Sequence, residues 1–205
     1  MANANMIELE TSLAECIRYC EAHPTAEPSR LFKDRLVAAQ HNLASNVQNS
    51  DTYHVKWRAE ELSHLKVWKE LSKLINTTKR RLRSINALGV QGRQVMYWDR
   101  EILKAEAETL KAYLHEHASS IDFAQDTIER IDRFLDAANL EQSNEERALK
   151  DFQRFVSMRR EAISDAGSVI GEFRVAMRRI LGKNDPEYQG IFWPYAIASD
   201  SNVLF

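Results

Sequence analysis

Glu61, His64 and His117 are the side chains of this sequence whose types and spacing are suited to shared chemistry. Glu-x-x-His places a carboxylate and an imidazole on one face of a helix, which is how metal and acid/base sites are assembled inside helical bundles. His117 interrupts the strongest apolar rhythm of the chain, which runs from Leu103, Ala107, Leu110 and Leu114 through Ile121, Ala124, Ile128 and Ile131 to Leu135 and Ala138. That beat alternates steps of three and four, as a heptad seam does. A chain reversal at Gly89 and Gly92 would bring His64 and His117 to one level, with Asp165 at a similar height. A di-iron carboxylate site needs a second Glu-x-x-His and further inward glutamates, and neither is present. The expectation is therefore a hydrogen-bonded polar layer that fixes helix register, without a cofactor; a metal or acid/base site of Glu61, His64 and His117 is the alternative.

Arg-x5-His occurs twice, at Arg35 with His41 and at Arg58 with His64. The spacing resembles that of the all-helical HEPN ribonucleases, and the resemblance implies RNA cleavage by a dimer with these four residues as the catalytic set.

The other candidates are surfaces. Lys79, Arg80, Arg81 and Arg83 crowd the end of one predicted helix, Arg174, Arg178, Arg179 and Lys183 the end of another, and Arg93 and Arg100 the start of a third. Cations complement helix C-termini, and in an up-down-up-down bundle these ends would join into a positive pole for an acidic protein surface or a nucleic-acid backbone. Ser164, Gly167, Ser168 and Gly171 form a smooth stripe on one helical face. Glycine within a helix costs about 1 kcal/mol relative to alanine, so the stripe is expected to admit a close neighbour, either another helix of the chain or a second subunit. Phe192, Trp193 and Tyr195 lie in a tail that Gly190 and Pro194 should keep from being helical, and its apolar character predicts docking into a groove.

These residues need long helices to position them. Six glycines and four prolines in 205 residues are too few for a turn-rich β fold, while 44% apolar and 28% charged residues supply a core and a solvated surface. The expected fold is all-α: an elongated antiparallel bundle of three long helices plus a broken fourth, over residues 1–189, followed by an extended tail at 190–205. Helix 1 covers about 6–22 with Asn5 and Glu8 as a capping box, and Pro24 and Pro28 separate it from a second helix at about 28–48. "QNSD" should end that helix. Further helices follow at about 52–88, 94–138 and, after a capping box of Ser143 and Glu146, up to Gly182, where Pro186 opposes a restart. Each long helix would span roughly 55–65 Å at about 1.5 Å per residue.

Cys16 and Cys20 fall in an apolar series and read as buried small hydrophobes. The net charge of −2 opposes nucleic-acid wrapping over the whole surface. No apolar run is long enough to span a membrane and the N-terminal residues lack a signal-peptide pattern, so a cytoplasmic address is expected. No phosphate-binding loop, nucleophile elbow or Cys/His cluster is present. The functional expectation is a non-enzymatic protein that assembles with itself or with another protein. The alternative is a nucleic-acid-directed protein, either a binder through the basic pole or a HEPN-like ribonuclease.

Overall fold

The computed structural model describes the backbone of residues 2–85 and 94–192, with side chains from Met6 onward. The predicted turn at Gly89 and Gly92, Arg93, and the tail residues Trp193, Pro194 and Tyr195 lie outside the described residues. The fold is all-α, with two long antiparallel helices and shorter ones packed on them. Among the described residues the helices are α1 (Ala2–Ala22), α2 (Glu27–Ser84), α3 (Arg100–Glu116), α4 (Ala124–Leu181) and α5 (Pro186–Phe192).

The chain divides into two compact units. One is Met1–Thr52 with Gln153–Phe205, and the other is Tyr53–Phe152. In the first, Leu13, Cys16 and Cys20 of α1 share a core with Leu36 and Leu43 of α2 and with Ala166, Phe173 and Met177 of α4. The turn at residues 23–26 thus lays α2 back alongside α1 as a hairpin. Phe173 is its aromatic centre, with rings of Tyr19, Phe32 and Phe192 at 6.1, 5.8 and 6.1 Å. In the second unit, Trp68, Leu71, Ile75 and Leu82 of α2 meet Leu103, Ala107 and Leu114 of α3 and Ile128, Ile131 and Ala138 of α4.

Helix boundaries differ from expectation in places that have physical causes. α1 begins at Ala2, so Asn5 lies inside it and not at its cap. "QNSD" does not break α2. It contains neither Gly nor Pro, each polar residue costs only some tenths of a kcal/mol in a helix, and the hydroxyl of Thr52 bonds back to the carbonyl of Gln48 at 2.8 Å. Ser143 and Glu146 lie within α4, where Gln142 donates to Glu146 at 3.0 Å in place of a cap. The restart after Gly182 is quick. Gly182 ends α4 with φ of 92°, a left-handed conformation that suits glycine. Asp185 then caps α5 by accepting from the amides of Glu187 and Tyr188, at 2.9 and 3.3 Å. Pro186 occupies the first helical position, where its missing N–H costs nothing, and α5 continues through Gly190.

The seam through His117 conceals a reversal. α3 stops at Glu116, His117 is its C-cap, and α4 starts only at Ala124. Ser120 turns its hydroxyl and its amide onto the carbonyl of His117, both at 3.0 Å, a local alternative to continued helix. Ile121 and Phe123 remain buried across the turn, so the heptad beat persists where the helix does not.

A second reversal precedes α3. The carboxamide of Asn76 accepts from the amide of Val95 at 3.0 Å and donates to its carbonyl at 2.8 Å; the hydroxyl of Ser72 donates to the same carbonyl at 2.7 Å. All three residues are buried. The connecting chain is therefore already back beside the middle of this part of α2 before α3 begins. α3 then runs in the same direction as α2, and the turn that follows it reaches Arg81, whose guanidinium lies 3.8 Å from the Phe123 ring centroid and 3.6 Å from Asp122.

Removing the Asn76 carboxamide leaves a buried amide without an acceptor. Asn76→Ala is expected to lower the unfolding free energy by about 1–3 kcal/mol, and Ser72→Ala by less, because the Val95 carbonyl keeps one donor. Urea denaturation of the two variants beside the parent checks both the size and the order.

Candidate functional site

His64 is the centre of an enclosed polar cluster and has no exposed surface of its own. Its Nε2 accepts a hydrogen bond from the indole N–H of Trp68 at 2.7 Å, and its Nδ1 meets the carboxylate of Glu145. The indole is donor only, so Nε2 must be unprotonated, and Nδ1 then carries the proton and donates to Glu145. Lys104 sits 5.6 Å over the Trp68 ring. α2 supplies His64 and Trp68 one turn apart, and α4 brings in Glu145 from the antiparallel direction.

This layer is closed. Both ring nitrogens of His64 are engaged, so no lone pair is open for a metal or a substrate proton. The expected partner His117 is elsewhere. Its turn lies against Arg81, roughly 25 Å from His64 along α2 at about 1.5 Å per residue, and its Nδ1 bonds the carbonyl of Tyr113 at 3.0 Å while its ring stacks on Tyr113 at 4.3 Å. The same-level pairing fails because α3 runs parallel to α2 and not antiparallel to it. Glu61 is half-buried and ion-paired with Arg58 at 2.5 Å on the helix surface. Asp165 is exposed and belongs to the other unit. Among the described residues no three His, Cys, Asp or Glu side chains are grouped to hold a metal ion.

Glu145 is the member that sequence reading missed. It continues the α4 seam, Ile131, Ala138, Glu145, Ala148 and Phe152, once the helix is read without interruption through residues 139–143. Its neighbour one turn earlier, Glu141, buries Oε2 without a hydrogen-bond partner.

The Arg-x5-His pairs are not arranged alike. His64 of the second pair is enclosed, whereas His41 of the first is exposed. Arg35 holds Glu172 at 2.9 Å and lies over the Phe32 ring at 5.2 Å. The Arg35 guanidinium, with help from the Ser168 hydroxyl, keeps the Glu172 carboxyl below its ordinary range.

The basic residues separate into two groups. Arg81 and Arg83 close α2 in one unit, and Arg178, Arg179 and Lys183 close α4 in the other. The two groups of the predicted pole thus belong to different units. Arg80 is exposed, but Lys79 is buried and paired with Glu106 at 2.5 Å. Arg100 is half-buried at the start of α3, and Arg174 donates to the Tyr188 hydroxyl at 3.3 Å.

The stripe of Ser164, Gly167, Ser168 and Gly171 faces outward, and a Cβ added at either glycine would meet nothing within 4 Å. Among the described residues no other helix packs against its two glycines, the first of the two kinds of neighbour expected for it. Beside it, Pro28, Leu31, Phe32, Val175, Ala176 and Ile180 line a groove of about 300 Å³ between α2 and α4. Leu31 and Val175 are 60% and 58% exposed. Phe192, the one described aromatic of the predicted tail set, packs on Phe173 and Tyr188 of its own unit. A separate cleft of about 260 Å³ in the other unit is lined by Thr77, Arg81, Phe123, Asp126, Arg130 and Phe134, with carboxylates and cations interleaved.

No family model matches the chain, and no curated protein or solved structure matches it either.

Two measurements probe these interior groups. Glu145→Leu leaves a buried imidazole N–H unpaired and should cost about 1–3 kcal/mol in thermal unfolding, with Glu145→Gln losing less because its amide oxygen still accepts. Burial pushes the Cys16 thiol up to about 12 and raises that of Cys20, with the neighbouring sulfur adding to the effect at Cys16. Since the thiolate is the reactive form, Ellman's reagent at pH 8 should leave both cysteines of the native chain unmodified and titrate both in guanidinium.

Proposed function

We propose that this chain is a non-enzymatic helical protein that works by protein–protein assembly, with itself or with another protein. The observation that carries this reading is the groove at the Leu31 and Val175 edge of α2 and α4, where large apolar side chains stand in water beside a smooth helical face. Exposed apolar patches of this kind mark contact sites more often than isolated hydrophobes do. The buried polar groups support the same reading, since the His64 layer spends its hydrogen-bonding capacity internally. A cytoplasmic setting belongs to the proposal and accords with two free buried thiols.

The rival reading, a nucleic-acid-directed protein, draws on the exposed Arg80, Arg81 and Arg83 at the end of α2. Binding there would be governed by phosphate contacts and would weaken steeply with salt. Static light scattering of the purified chain over a wide concentration range, alone and with single- and double-stranded oligonucleotides, separates the two. The expected result is a mass that rises with protein concentration and is indifferent to nucleic acid. A single-chain mass that shifts only on adding RNA or DNA, and shifts back at high salt, would favour the rival.

A further inference from the structure

The exposed face of α4 in the unit formed by residues 1–52 and 153–205 carries Glu161, Asp165, Ser168, Glu172, Val175 and Arg179. Their spacing alternates four and three, so they form one continuous line along the helix. The line is ordered by charge. Its first half is acidic, with Glu161 and Asp165, and its far end is basic, with Arg179. Glu172, in the middle, is already matched by Arg35 of the same chain. Val175 and Arg179 at the basic end also line the apolar groove that Leu31 completes from α2.

We propose that this face pairs with the same face of a second copy of the chain, α4 against α4 in antiparallel sense about a two-fold axis near Ser168 and Gly171. The proposal rests on the assembly reading above and names its partner. Antiparallel self-pairing is what the charge order calls for: it brings Arg179 of each copy to the level of Glu161 of the other, with Asp165 the next acidic residue along the line, whereas parallel pairing would set like charges together. The same register brings Val175 and its groove onto the small side chains around Ser164 and Ser168. An open surface over Gly167 and Gly171 lets the two backbones approach. A neutral or uniformly acidic helix from another protein would satisfy one end of this line and not the other, which is why a second copy is the occupant that fits.

The test is sedimentation equilibrium of the full chain and charge-swap variants. The positions changed are exposed, and the glycine has open space around it, so the variants keep the fold. The parent should approach twice the 23.7 kDa of one chain. Arg179→Glu alone should weaken dimerisation at least about tenfold, as should Glu161→Arg with Asp165→Arg, because each sets like charges opposite one another. Combining all three substitutions in one chain should restore dimerisation, since both copies are then complementary again. Gly171→Leu should block close approach, giving monomer with unchanged circular dichroism. A parent that stays at the single-chain mass would overturn the dimer. A parent dimer indifferent to Arg179→Glu and to Gly171→Leu would overturn this face while leaving assembly itself standing.

Discussion

The Asn76 carboxamide, bonded to both the N–H and the C=O of Val95, is the constraint on which the Tyr53–Phe152 unit depends. A buried residue docked on a helix has two backbone groups to satisfy, and a side-chain amide carries both a donor and an acceptor to meet them. Ser72, one turn earlier, supplies a second donor to the same carbonyl. Because the contact falls beside residues 72–76 and not at the end of α2, the chain has travelled back along the helix before α3 can start. α3 must therefore rise with α2, and a further turn must follow before α4 can descend.

That order of reversals decides which side chains meet. It sends His117 to the Arg81 end of the unit and leaves His64 facing α4, where Glu145 closes its hydrogen bonding. A carboxylate, an imidazole and an indole linked in series, with every polar atom of the imidazole used, specify one register between two long helices that apolar seams alone would allow to slip. Lys79 and Glu106 make a comparable buried contact between α2 and α3. The interior polarity of this unit thus positions its helices.

Much of this was legible in the sequence. Apolar periodicity carried the helical class and the burial of Cys16, Cys20, Leu71 and Ile131, and proline carried the break between α1 and α2, which falls at Pro24 while Pro28 lies in the first turn of α2. The reversals were not legible, for reasons of physics. The turn after His117 keeps Ile121 and Phe123 in the core, so a pattern of burial reads the same with or without the helix. "QNSD" and Ser143 present capping residues whose cost inside a helix is small enough for packing to override. The role of Asn76 could not be read from spacing, because it depends on a partner backbone at Val95 that only the folded chain brings near. Of the candidate sites, His64 was found and its true partner Glu145 was not, since the assumed break at residues 139–143 cut Glu145 out of its seam. The spacing of Ser164, Gly167, Ser168 and Gly171 set them on one face of α4, but the open space over the glycines depends on the positions of the neighbouring helices.

The direction of α3 is tested most directly by spin-label distances within the Tyr53–Phe152 unit. Cysteines introduced at the exposed positions Glu116 and Arg80 form one pair, and those at Glu116 and Lys66 another; the buried native thiols stay unlabelled. With α3 parallel to α2, the Glu116 label should be closer to position 80 than to position 66, by an amount approaching the ~20 Å that separates those two positions along an ideal helix. The reverse order, with position 66 the nearer, would mean that α3 descends antiparallel to α2 and would contradict the account from Val95 outward.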